Sequence, residues 1–195
     1  MSRKEDILEV ARELFNEKGT QSSTTNHIAK AMGISPGNLH YHYKNREEIV
    51  RLLYMQMRQK TTPPPDKIPK NLTALREHEK MVIKVRWEYR FFFNEMLSLF
   101  ARDADLEELY IKDNIAHRRR IRQVMNNLIV GGELSISDEE DLDFILDSIS
   151  LAWQFYTSLM HTIGQELDAT TVQNVTKYTN TAMRPYLTKK PSYKR

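Results

Sequence analysis

The chain has no cysteine, which excludes a disulfide framework, a thiolate zinc site and cysteine nucleophiles. Its six glycines include no phosphate-cradling loop, and no serine occupies the strand-to-helix elbow of a hydrolase. No run approaches the roughly 18 apolar residues of a membrane span. The first residues, MSRKEDILEV, carry Glu5 and Asp6 and no apolar centre, so they do not read as a secretion signal. Nothing alternates like a half-buried strand. His78-Glu79 begins like a zinc-protease motif, but the fifth position is Val82. His40 and His42, two apart on a helix, point about 200° apart and cannot share a metal. These absences lead to an expectation of no enzyme, no cofactor, no metal and no membrane partner, and of a cytoplasmic protein.

What remains is an ordinary globular composition, 40% hydrophobic and 28% charged, in 195 residues. The formal net charge of +3 is unevenly placed. Residues 1–60 hold 10 Lys/Arg against 7 Asp/Glu, whereas residues 61–195 hold 19 of each. The excess lies with the most informative stretch, Thr24 to Arg46, as phosphate binding would favour.

That stretch predicts a helix, a tight turn and a second short helix. Ile28 and Met32 share a face, Gly33 suits a helix end, Ser35 suits an N-cap and Pro36 the first helical position. The second helix, Pro36 to about Tyr43, is too short to stand alone. Leu39 is its one aliphatic side chain and faces inward, leaving Gly37, Asn38, His40, Tyr41 and His42 largely outward. A short helix that shows amide and aromatic side chains but no carboxylate suits the major groove of DNA.

Here the sequence resembles the TetR family of bacterial transcriptional repressors. The resemblance is carried by Phe15, Gly19, Thr24-Thr25, Ile28-Ala29, Gly33-Ile34-Ser35, Leu39, His42 and Glu47-Glu48, over about the first fifty residues. His40, Tyr43 and Arg46 stand where the family most often has Tyr, Phe and Lys. The remaining two-thirds of the chain resembles the family only in layout. With this resemblance, Gly37, Asn38, Tyr41 and His42 are candidates for base or sugar contact, and Pro36 belongs to the same DNA-binding set. Thr24, Thr25, Ser35, His40, Lys44 and Arg46 are candidates for phosphate contact. Arg3 and Lys4 either reach a phosphate or are solvated. His27 reads as a surface histidine near DNA.

The expected fold is all-α. A helix-turn-helix head spans residues 1–60, with helices from about Arg3 to Lys18 (closed by Gly19), from Thr24 or Thr25, from Pro36, and from Asn45 to about Lys60. A proline-rich linker, residues 61–69, leads to a helical ligand-binding and dimerisation body over 70–188. Residues 189–195 form a loose basic tail. In the body, residues 71–102 read as two helices with an unplaced break. Helices then follow from Asp105 to Val130, from Ser137 (capping with Glu140) to Ile163, and from Thr170 or Thr171 to about Leu187.

The helix from about Asp138 to Ile163 is apolar around much of its circumference. Leu142, Ile145, Ile149, Trp153, Tyr156 and Met160 form one stripe, and Phe144, Leu151, Phe155 and Leu159 lie outside it. Such a helix either completes the monomer core or, with the last helix, packs on a second copy. The resemblance implies the homodimer. It also implies an effector, apolar or aromatic, for which Trp87, Phe91, Met96, Tyr110, Trp153 and Tyr156 are candidate contacts. The run Arg118–Arg122 is either a solvated face, paired with acidic neighbours, or a second nucleic-acid contact. Together these features predict a ligand-responsive regulator of transcription that binds a near-palindromic operator as a dimer. The alternative is a helical ligand- or protein-binding module whose head docks a protein.

Overall fold

The structure is a computed structural model that describes residues 3–188. Among these residues there is no strand, only an isolated bridge between Leu134 and Leu187. The helices are α1 (Arg3–Ser22), α2 (Thr25–Ala31), α3 (Pro36–His42), α4 (Arg46–Thr61), α5 (Leu72–Glu88), α6 (Arg90–Phe100), α7 (Ala104–Val130), α8 (Glu139–Thr162), α9 (Ala169–Gln173) and α10 (Val175–Met183). Short 3-10 turns lie at Pro65–Lys67 and Arg184–Tyr186. The expected tail over 189–195 lies outside the described residues.

The chain forms two compact units, residues 1–62 with 85–109, and residues 63–84 with 110–195. The first is larger than the expected head, because α6 packs on α1. Its core is built from Ile7, Ala11 and Phe15 of α1, Ile28 of α2, Leu39 of α3 and Ile49, Val50 and Leu53 of α4, all essentially without exposure. Phe91 of α6 joins them, its ring 5.3 Å from that of Phe15.

Gly19 ends the regular part of α1 with φ 77° and ψ 162°, a conformation that side chains with a Cβ rarely adopt. The break left open within residues 71–102 falls at Tyr89. Asn16 spans it from α1, accepting from the Phe91 N–H at 3.0 Å and donating to the Glu88 carbonyl at 2.7 Å. One amide side chain thus occupies backbone groups that a continuous helix would have paired. Proximity along the sequence could not reveal this, since Asn16 lies more than seventy residues away.

The second unit has a core of Ile68, Met125, Leu128, Leu134, Leu142, Ile145, Leu146, Ile149 and Met183, with Leu72 and Leu75 of α5 packed against it. Helix α8 packs on α10, and the Trp153 indole N–H donates to Thr179 Oγ1 at 2.8 Å. Two expected helix starts move. Asp138, not Ser137, caps α8 by accepting from the Glu140 N–H at 2.8 Å. Asp168, not Thr170 or Thr171, caps α9 by accepting from the Thr171 N–H at 2.6 Å. Carboxylates outcompete nearby hydroxyls for free N–H groups at a helix start. The last helix is interrupted at Asn174, between α9 and α10.

Candidate functional site

Helices α2 and α3 are joined by a turn in which Gly33 takes φ 65°, with the Ile34 N–H donating to the Ala29 carbonyl at 3.0 Å. Ser35 Oγ accepts from the Asn38 N–H at 3.2 Å, so this serine starts α3 as its sequence position suggests. Leu39 is wholly buried and anchors α3 to the core. Around that anchor Ser35, Pro36, Gly37, Asn38, His40 and Tyr41 are exposed, with Tyr41 at 85%. No carboxylate belongs to α3. The result is a short, rigidly mounted helix with an open face of amide, imidazole and phenol groups.

Thr24 caps α2, its Oγ1 accepting from the His27 N–H while His27 Nδ1 accepts from the Thr24 N–H. His27, expected simply as a surface histidine, is exposed and takes the reciprocal half of a capping box. Thr25 is half-buried and Lys44 is exposed. His40 Nδ1 lies 3.3 Å from the Lys44 carbonyl. A carbonyl only accepts, so in that bond Nδ1 holds the proton and Nε2 remains for an outside partner.

Two candidates sit differently from the rest. The Arg46 guanidinium donates to the Thr20 carbonyl at 2.9 Å and pairs with Glu47 at 2.8 Å, tying the start of α4 to the end of α1. Burial raises the Glu47 pKa, but hydrogen bonding to Arg46 and the charge of Arg102 outweigh it, and the net direction is down. His42 is half-buried, its Nδ1 enclosed and without a hydrogen-bond partner among the described residues. Its ring stands edge-on to that of Tyr41, with centroids 5.2 Å apart.

Tyr43, where the resemblance would have Phe, is 3% exposed and donates its hydroxyl to the Lys4 carbonyl at 2.9 Å. Burial chiefly raises its pKa, with Glu48 and Glu5 adding to the effect. The extra oxygen is therefore a fastener between α1 and the end of α3.

The candidate effector residues are divided between the units. Trp87, Phe91 and Met96 belong to the first and Tyr110, Trp153 and Tyr156 to the second. Phe91 and Met96 are buried, and the Arg90 guanidinium covers the Trp87 ring at 4.5 Å. Tyr156 is buried with its ring edge-on to Tyr178 at 5.6 Å. Tyr110 lines a groove of about 490 Å³ between α7 and α8, with Ile111, Ile115, Leu151 and Gln154.

Two arginines of the basic run on α7 are paired. Arg118 binds Asp143 at 3.1 Å and Asp147, and Arg122 binds Glu139 at 2.7 Å and Asp143, all on α8. On α8 the stripe Leu142, Ile145, Ile149, Tyr156 and Met160 is buried, while Phe144, Leu151, Phe155 and Leu159 are exposed.

Sequence reasoning weighed Glu79 only within a zinc-protease-like pattern and not as a core position, yet it is 7% exposed on α5. Its signal was there: a carboxylate at helical spacing within the apolar series Leu72, Leu75, Val82 and Ile83. Among the described residues no helix is long and apolar enough to cross a membrane, and no cluster could hold a metal.

Comparison with known proteins gives two adjoining family matches. The family model described as "Bacterial regulatory proteins, tetR family" matches residues 7–53, and the one described as "Bacterial transcriptional repressor" matches residues 53–193. The chain is 45% identical over 49 residues to the transcriptional regulator QacR of Staphylococcus aureus, covering 25% of this chain and 26% of that protein. It is 44% identical over 48 residues to IcaR of Staphylococcus epidermidis, a negative transcriptional regulator of a biofilm operon, with coverage of 25% and 26%. These matches span about a quarter of the curated relatives' length. A TetR-family regulator from Marinobacter aquaeolei has a similar structure throughout, with 27% identity, a TM-score of 0.87 and coverage of 99% of this chain and 94% of that one. With its helix-turn-helix and its helical body both matched, the chain belongs to the TetR family of bacterial transcriptional repressors.

Proposed function

We propose that this protein is a DNA-binding repressor of transcription that acts as a homodimer and is released from its operator by a small molecule. The observation that carries this reading is α3: a short helix held by buried Leu39, capped by Ser35 and displaying Asn38, His40 and Tyr41 with no acidic group. Residues 1–60 form the DNA-binding head, residues 61–69 the linker and residues 70–188 the effector-binding and dimerisation body.

In this reading α3 enters the major groove and Gly37, Asn38 and Tyr41 contact base edges or sugars, with His42 at the margin. Thr24, Thr25, Ser35 and Lys44 contact phosphates. Arg46 serves mainly to hold α4 against the end of α1. His40 approaches a phosphate through Nε2, which can donate there only when the ring carries both protons.

The exposed stripe Phe144, Leu151, Phe155 and Leu159 supports pairing of subunits through α8 and α10, because lone apolar residues are common on a surface but a continuous row is not. Two heads in one dimer then meet two half-sites of a near-palindrome. The effector acts only if it binds the operator-competent and operator-free arrangements with different affinity.

The test is retardation of the DNA upstream of the protein's own gene. Asn38→Ala with Tyr41→Ala is expected to weaken specific binding by about 10- to 100-fold, at roughly 1–3 kcal/mol for lost base contacts. Binding should also fall steeply with added salt. Unchanged binding by the double variant would refute the assignment of α3.

A further inference from the structure

Two exposed histidines lie on the helix pair, and their hydrogen bonds fix their tautomers in opposite senses. His27 Nδ1 accepts from the Thr24 N–H at 3.3 Å. Its neutral ring therefore carries the proton on Nε2, which can donate outward with no further proton. His40 Nδ1 lies 3.3 Å from the Lys44 carbonyl, a group that only accepts. Its neutral ring therefore carries the proton on Nδ1, and Nε2 is a bare acceptor. The same outward nitrogen is a donor in one ring and an acceptor in the other.

His40 makes no ion pair among the described residues, and it stands in the last turn of α3, a helix end that suits a cation. The titratable and charged groups around it are Tyr41, His42 and Tyr43 of its own segment, and His27 and Lys30 of α2. Lys44, Arg46, Glu47 and Glu48 lie where α4 begins, and Lys4 and Glu5 lie on α1. The carboxylates are engaged elsewhere. Glu47 pairs with Arg46, Glu48 accepts from the Lys44 N–H at 2.7 Å, and Glu5 acts on Tyr43.

We propose that binding to the operator takes up a proton at His40 of each subunit, so that affinity for DNA falls as pH rises. The inference rests on the DNA-binding reading of α3 and deepens it. A phosphate oxygen accepts hydrogen bonds, so it repels the bare Nε2 of the neutral ring and receives a charge-assisted bond from the imidazolium. Histidine is the side chain whose charge changes within the physiological range. The bound state holds the extra proton more firmly than the free state, so affinity is full at low pH and is lost as pH rises. His27 does not share the effect. A proton added at its Nδ1 breaks the bond from the Thr24 N–H, and its Nε2 donates without one. A tyrosine, which most of the family has in place of His40, keeps its proton across the same range.

The test is the affinity of the full-length protein for the DNA upstream of its own gene, at constant salt, between about pH 6 and pH 8. The native protein should bind at least about tenfold more weakly at the upper end. Its salt dependence should be steeper at the lower end, by roughly one unit of log–log slope per subunit, because an added cationic contact releases an added counterion. His40→Tyr and His40→Gln should show a flat pH profile and one salt slope, whereas His27→Gln should keep the native profile. Titration calorimetry of the native protein with the same DNA, in two buffers of different ionisation enthalpy, should show net proton uptake. A native affinity that does not vary with pH, binding without proton uptake, or a pH profile that persists in both His40 variants would overturn the inference and leave the DNA-binding reading standing. A native protein that binds this DNA at no pH refutes that reading, and this inference with it.

Discussion

The two units treat their buried polar groups differently. In the first, Thr20 donates from its N–H to Glu95 at 2.9 Å, Ser23 Oγ donates to the Leu14 carbonyl at 3.3 Å, and Asp103 receives Arg51 at 2.7 Å while capping α7 through the Leu106 N–H. In the second, Thr179 is paired with Trp153, Thr157 Oγ1 has no hydrogen-bond partner among the described residues, and burial raises the Glu79 carboxyl. The first unit thus holds these three groups with hydrogen-bonding partners, although Arg12 Nε and His42 Nδ1 are buried there without a hydrogen bond. The contrast predicts opposite signs for mutations in the two units. Removing a polar group from the first should destabilise, whereas neutralising Glu79 should stabilise.

The largest effect is expected at Asp103. Its side chain is 6% exposed and serves both Arg51 and the start of α7. Asp103→Ala should lower stability by about 3 kcal/mol, read as a lower urea midpoint. An unchanged midpoint would break the picture of Asp103 as a joint between Arg51 and the start of α7.

Glu79→Gln should act the other way. The folded protein keeps a proton on Glu79 up to about pH 7, whereas the ordinary value of 4.5 applies once the chain unfolds. Across that interval the unfolded chain loses this proton first. The native protein therefore loses stability on this account as pH rises from 4.5 to about 7, by on the order of 3 kcal/mol. Glu79→Gln should be more stable than native protein at pH 8 and equal to it near pH 4.5. Urea midpoints measured across that range check both the sign and the window. A difference that does not vary with pH would contradict the buried, unpaired carboxyl.

The smallest effect is expected at Tyr43. Tyr43→Phe restores the residue that the resemblance would place there and removes only the bond to the Lys4 carbonyl. A loss of about 1 kcal/mol in thermal or urea unfolding is expected. A gain would mean that the hydroxyl is not a fastener.

The same contrast explains what the sequence made legible. The head follows local rules: Gly33, Ser35 and Pro36 sit within four residues of one another, and their roles in the turn follow from backbone geometry and capping alone. Asn45 likewise accepts from the Glu48 N–H at 2.8 Å, as that spacing predicts. Long-range partners were hidden. The bond from Arg46 to the Thr20 carbonyl could not be read from the sequence, and the break at Tyr89 makes sense only with Asn16 across it. The aromatic effector candidates were chosen without knowledge of such partners. Composition marks Phe91 as apolar but cannot say that Phe15 already covers it. The basic run on α7 was legible as charge, while its acidic partners on α8 required the tertiary pairing.

The most direct test of the central claim is methylation interference on the upstream DNA, which reports guanine N7 groups in the major groove. The account predicts two short patches of interference, separated centre to centre by about 10 base pairs or a multiple of that, and both abolished by Asn38→Ala with Tyr41→Ala. Interference confined to a single patch, or two patches that persist in the double variant, would contradict it.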